Sequence, residues 1–171
     1  NYFHLLRVPQ WIKNLFVFVP LMFSLHFFEI SYFVQSFKGF LIFCLASSFI
    51  YIINDIIDIE ADAAHPTKKL RPLPSGKISK RSAWYASVLI FVMLALLLLL
   101  VNRDFIFYLI SFILLNVLYS LYFKHIVILD VFSIAAGFTI RVLGGAAVIA
   151  VPVSSWLILT TMFISLFLGV M

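Results

Sequence analysis

Charge is what this sequence has least of. Asp, Glu, Lys and Arg make up 11% of its 171 residues, against 64% hydrophobic side chains. Soluble domains carry about 25% charged and about 45–50% apolar residues. A water-soluble fold is therefore excluded: a chain of this length cannot hide so much apolar surface, whereas lipid can solvate it. Cysteine is almost absent. The single Cys44 leaves no disulfide framework and, lying in an apolar run, reads as a small buried hydrophobe. The opening NYFHLLRVPQWIK is polar and aromatic without a small-residue cleavage site, so no secretory signal is expected there. Repeats and domain linkers are also missing, which points to one helical membrane domain over residues 1–171. The sequence does not begin with Met and stops within LILTTMFISLFLGVM, an apolar run. A longer natural protein is expected, of which this is the N-terminal part.

What is there is a series of apolar segments. A helical crossing needs about 20 apolar residues. Six candidates run over 14–28, 37–57, 82–102, 105–123, 126–150 and 154–171, giving an all-α, polytopic bundle. The first is short and holds Pro20, and the third carries a leucine run suited to a lipid-facing helix. The net charge of +5 sits at segment ends, where it suits topology and anionic headgroups rather than nucleic acid. With the N-terminus and the 59–80 loop inside, nine cations lie inside (Arg7, Lys13, Lys68, Lys69, Arg71, Lys77, Lys80, Arg81, Lys124) and two outside (Lys38, Arg103). That asymmetry predicts that the 59–80 loop faces the cytoplasm.

The second span ends in Asn-Asp-Ile-Ile-Asp-Ile-Glu-Ala-Asp. Asp55, Asp58 and Asp62, at i, i+3 and i+7, share one helical stripe, bordered by Asn54, while Glu60 points away. Like charges at such spacings destabilise a helix, and acids among isoleucines at a membrane boundary are costly. A hard divalent cation resolves both. Mg²⁺ takes oxygen ligands and is usually held by one or two carboxylates plus substrate phosphates. Lys68, Lys69 and Arg71 follow in a loop whose prolines and glycine exclude a long helix. Acids for a metal beside bases for phosphate suit a metal–diphosphate ligand. Ser79 or Ser82 is placed to cap the next helix, and His65 reads as a local hydrogen-bonder.

Arg141 lies within the fifth span, about 16 Å along the helix from Asp130 and nearly in phase with it. Gly137, Gly144 and Gly145 lie on or near that face. An intramembrane arginine is a functional candidate by default, whereas the glycines suit helix packing. Asn116, Tyr119 and Tyr122 recur every three residues before Lys124, and Lys13 and Asn14 open the first span at the level of the acids.

Asn54–Asp62 followed by HPTKKLRPLPSG resembles the first motif and basic loop of the intramembrane prenyltransferase (UbiA) superfamily. Three further stretches look like its decaprenyl-phosphate phosphoribosyltransferase branch: RVPQWIKN (Arg7 to Asn14), ADAAHPTKK, and KHIVILDVFSIAAGFTIR (Lys124 to Arg141). The resemblance implies about nine membrane helices around a cavity, of which about six are present here, and a second polar motif just past Met171. Relatives place a Tyr and a Lys four apart near the end of the fourth span. Here Tyr119 and Tyr122 stand five and two residues before Lys124.

The implied reaction is Mg²⁺-dependent transfer of 5-phosphoribosyl from 5-phosphoribosyl 1-diphosphate to a polyprenyl (decaprenyl) phosphate at the cell membrane, releasing diphosphate. The alternative is prenyl transfer from a prenyl diphosphate to an aromatic or other small acceptor. On either reading Asn54, Asp55, Asp58 and Asp62 are the catalytic residues, the three aspartates being the metal ligands. Substrate binding falls to Lys13, Asn14, Lys68, Lys69, Arg71, Tyr119, Tyr122, Lys124, Asp130 and Arg141. Transporters concentrate charge near the bilayer midplane, and these acids stand at its edge. A non-catalytic assembly subunit is the remaining class.

Overall fold

A computed structural model describes residues 2–170; residue 171, where the sixth expected span ends, lies outside them. No strand occurs among the described residues. A short helix α1 (Tyr2–Leu5) leads through Arg7 into a 3₁₀ segment, Val8–Phe18, and then α2 (Val19–Phe23). Next come α3 (Ile30–Ile57), α4 (Ile59–Ala64), α5 (Lys80–Leu98), α6 (Arg103–Leu121), α7 (Val127–Val148) and α8 (Ser155–Val170). Four of these, α3, α5, α6 and α7, are long and apolar enough to cross a membrane, while Val8–Phe23 and α8 are shorter apolar helices.

The all-α bundle expected from hydropathy is what is found, with two local differences. The first expected span begins six residues early and is largely 3₁₀. Pro9 at its start and Pro20 in α2 remove amide donors, and the segment packs on α3 and α7. The second begins at Ile30 rather than 37, because nothing in Ile-Ser-Tyr-Phe-Val-Gln-Ser stops a helix once Glu29 has turned the chain. At 28 residues α3 is about 42 Å long, beyond a ~30 Å hydrocarbon core.

Helix starts follow local chemistry. Ser79 caps α5, its Oγ accepting from the Ser82 amide at 3.1 Å, and Asn102 caps α6 through the Phe105 amide at 2.9 Å. The Asn102 side-chain amide also donates to the Ala147 carbonyl at 2.6 Å, tying α6 to the far end of α7.

Burial falls on α3 and α7. Phe43 of α3 meets Phe105 and Phe112 of α6 edge-on, at 5.6 and 5.2 Å between centroids. Val17, Leu21, Ile42, Leu109 and Val148 complete that core. A second apolar cluster sits at the acidic end: Leu5, Ile52, Ile56, Leu73, Ile78, Ala83 and Ile90. Leu89, Phe91, Leu96, Leu99 and Leu100, on and just after α5, are exposed, as a lipid-facing helix requires. Gly144 and Gly145 are packing residues: Phe43 lies over one, and the Val17 backbone of the 3₁₀ segment over the other.

Candidate functional site

The N-terminal strap positions the first charge. Trp11 Nε1 donates to Ser48 Oγ at 3.0 Å, and that hydroxyl donates to the Leu6 carbonyl at 2.8 Å, fastening the strap to α3. Arg7 turns the chain with φ 50°, a left-handed conformation costly for a residue with a Cβ. The turn aims its guanidinium at α3, where Nη2 donates to Asp55 Oδ1 at 2.6 Å. The same guanidinium lies 4.6 Å over the Tyr51 ring, one helical turn back.

Asp55 and Asp62, both buried, are drawn together by one cation. Arg71 Nη1 donates to Asp62 Oδ2 at 2.5 Å and to Asp55 Oδ1 at 3.3 Å. Lys68 Nζ stands 3.7 Å from Asp62 Oδ1. Asp58 occupies the junction of α3 and α4, with φ −90° and ψ 9°, and takes no part in these ion pairs. Asn54 accepts the Asp58 amide on its carbonyl at 2.9 Å, and its side chain likewise stays out of the pairs. Among the described residues no three His, Cys, Asp or Glu side chains gather closely enough to hold a metal. Of the expected three-carboxylate stripe, Arg71 brings Asp55 and Asp62 together, and Asp58 stands at the bend between them outside the ion pairs.

That donor set fits Mg²⁺ in one manner. Two adjacent carboxylates supply hard oxygens, and the remaining positions are left to water and phosphate, as Mg²⁺ prefers. Glu60 is exposed, as its position off the stripe requires. Lys69 is exposed and makes no ion pair among the described residues. His65 serves the loop, its Nδ1 accepting from the Thr67 and Lys68 amides at 3.3 and 3.4 Å.

One turn from Asp55, Tyr51 opens onto a cavity of about 200 Å³ between the strap, α3, α6 and α7. Lys13, Asn116, Tyr119, Ser133 and Arg141 line its polar side, and Phe112 and Phe138 its apolar side. Arg141 is held firmly. Its Nε donates to Asn14 Oδ1 at 2.7 Å, and its guanidinium stands 4.6 and 5.4 Å over the Phe112 and Phe138 rings. Asn14, fully buried, is fixed in turn by Cys44 Sγ at 3.3 Å and Ser47 Oγ at 3.4 Å. Arg141 and Asp130 do not pair: three helical turns separate them, and the arginine bonds a neighbouring segment instead. Asp130 sits beside Tyr119 in the first turn of α7, its buried Oδ1 without a hydrogen-bond partner among the described residues. Tyr122 and Lys124 are exposed beyond the end of α6 and do not line the cavity.

Asn14→Leu should strip a buried guanidinium of its acceptor and cost about 1–3 kcal/mol. Thermal unfolding in detergent measures this, and an unchanged midpoint would mean that Arg141 finds another partner.

Two members of this arrangement were not singled out from sequence. Arg7 counted as a topology charge and as the start of the RVPQWIKN stretch but not as a site residue, since nothing local reveals a partner 48 residues away. Tyr51 had a signal, its i−4 relation to Asp55 on the same stripe.

These features define an all-α, polytopic membrane protein with a polar site at one end of its bundle. The chain belongs to the UbiA prenyltransferase family, which it matches over residues 14–171. Its homologues in that family are membrane-bound transferases, as the motif reading expects. It is 35% identical to the decaprenyl-phosphate phosphoribosyltransferase of Mycolicibacterium smegmatis over 167 residues, 95% of this chain and 52% of that protein. Identity is 32% to the enzyme of the same name from Corynebacterium glutamicum over 168 residues, 96% of this chain and 51% of that one. The chain thus spans about half the length of these curated relatives. A UbiA homologue from Archaeoglobus fulgidus bound to DMAPP and Mg²⁺ shares the fold, with TM-score 0.76 and 21% identity over 98% of this chain and 60% of that one.

Proposed function

We propose that this chain forms the N-terminal part of an enzyme of the cytoplasmic membrane. The enzyme transfers 5-phosphoribosyl from 5-phosphoribosyl 1-diphosphate to a polyprenyl phosphate. A lipid phosphate oxygen attacks the anomeric carbon, and the bond from that carbon to the diphosphate breaks. The nucleophile is already an anion, so no strong base is needed. The nine-to-two excess of cations at the acidic end supports a cytoplasmic site, where a soluble sugar diphosphate is available.

One observation carries the reading: a single guanidinium, Arg71, gathers Asp55 and Asp62 beside a cavity lined by two further cations, Lys13 and Arg141. Asp55 and Asp62, with Asp58 at the bend, are the residues that would hold Mg²⁺, which when bound would stabilise the departing diphosphate. Arg7, Lys68 and Arg71 neutralise charge that grows on the leaving group, with Lys69 and Asn54 at its edge. In the cavity, Lys13 and Arg141 take the lipid phosphate, and Asn14 keeps Arg141 turned toward it. Tyr119, which lines the cavity with Asp130 beside it, and Tyr122 and Lys124, exposed just past α6, are the further candidates for contact with the substrates. The similarity to decaprenyl-phosphate phosphoribosyltransferases over nearly the whole chain favours this reaction over prenyl transfer.

The test supplies purified full-length protein in detergent with Mg²⁺, polyprenyl phosphate and radiolabelled phosphoribosyl diphosphate. Labelled lipid is the expected product. Turnover of a prenyl diphosphate with an aromatic acceptor, and no labelled lipid, overturns the assignment.

A further inference from the structure

A second recess opens beside Arg71. His4, Thr67, Leu70, Arg71, Pro72 and Lys77 enclose about 370 Å³, away from the cavity that holds Lys13 and Arg141. We infer that this recess takes a second anionic group of the donor, a phosphate monoester on a small sugar, while the acid pair handles the diphosphate. The inference rests on the reaction proposed above and adds a subsite to it.

Four observations support it. The walls are preformed: α1 and the 71–79 loop are pinned by the same apolar cluster, with Leu5, Leu73 and Ile78 all buried. The Ile78 amide closes the loop on the Pro72 carbonyl at 3.0 Å. Gly76 supplies the turn with φ 72°, a conformation that disfavours other residues. Arg71 is a shared wall, its guanidinium reaching Asp62 and Asp55 while the residue also lines the recess. A ligand bound here therefore lies one side chain from the acids.

The wall chemistry selects the ligand. Lys77 and Arg71 supply charge-assisted donors, and Thr67 and His4 further polar groups, which suits a phosphate. No phenyl, phenol or indole ring lines the recess to stack a nucleobase, and its size falls at the low end of the roughly 300–1,000 Å³ of small-ligand sites. A prenyl diphosphate carries no second anionic group and would leave the recess without use. A sugar bearing phosphates at both ends would fill it.

Two measurements on full-length protein in nanodiscs of neutral lipid test this. Calorimetric titration should show ribose 5-phosphate binding where ribose does not, with binding lost in Lys77→Ala and kept in Lys77→Arg. Kinetically, Lys77→Ala should raise KM for phosphoribosyl diphosphate about tenfold or more, with KM for polyprenyl phosphate unmoved. Equal binding of ribose and ribose 5-phosphate, or an unmoved KM for the donor, overturns the subsite. An effect of Lys77→Ala seen only in phosphatidylglycerol nanodiscs also overturns it and assigns the recess to a lipid headgroup. A wild-type protein that binds ribose 5-phosphate but makes no phosphoribosyl lipid keeps the recess as a phosphate site and rejects the reaction instead.

Discussion

Asp55→Asn and Asp62→Asn should each lower turnover by roughly 10²–10³-fold, the scale seen when one preorganised electrostatic contact to a developing charge is removed. Both carboxylates are buried, and Arg71 bonds the two at once. An amide keeps the size of each side chain but removes the anionic oxygen that a hard cation requires. It also weakens the charge-assisted bonds to Arg7 and Arg71, each worth about 1.5–3 kcal/mol. Some loss of stability is therefore expected with the loss of activity. The two are separated by assaying at a temperature where the variant remains folded, judged by its elution from a sizing column in detergent. The fall in kcat should persist there, and rising Mg²⁺ should restore little of it. Asp58→Asn should cost less stability than either, because Asp58 lies at the α3–α4 junction outside the ion pairs. Wild-type turnover in Asp62→Asn would remove the acid pair from the mechanism.

Gly145→Ala should be the most damaging of the glycine-to-alanine changes. A Cβ there would run into the Val17 carbonyl oxygen and stand 2.8 Å from the carbonyl carbon. The obstacle is backbone, which cannot rotate aside, so the strap must lift from α7. Overpacking of this kind costs about 1–3 kcal/mol and occasionally more, and the upper end is expected here. The strap that Val17 belongs to also carries Asn14 and Lys13, so displacement would unseat Arg141 and open the cavity. The expected outcome is a Tm in detergent lower by several degrees, accompanied by loss of activity. Gly169→Ala is the control. Its added Cβ would meet Val131 Cγ1 at 3.4 Å, an ordinary contact, and its Tm should stay near wild type. Equal behaviour of the two variants would contradict the close approach of the strap to α7.

Much of this protein is determined by its sequence alone, for physical reasons that act locally. Membrane solvation follows from composition, since no fold of this length buries so many apolar groups away from water. Helix starts follow from Ser79 and Asn102, whose side chains satisfy amides within three residues. The acids, the basic loop and the family are legible because motif spacing survives without knowledge of the fold. The same holds for the exclusion of Glu60, which needs only helix periodicity.

Tertiary structure decided the rest, wherever the deciding partner is distant in sequence. That Asp55 and Asp62 are ion-paired and Asp58 is not depends on Arg7, 48 residues from Asp55, and on how the loop returns Arg71. Arg141 was visible as an anomaly, but its hydrogen-bond partner, 127 residues away, was not. The 3₁₀ strap has proline signals but no local signature of its full length. Contact with α3 and α7 holds it in place, and at Gly145 the absence of a side chain lets two backbones meet.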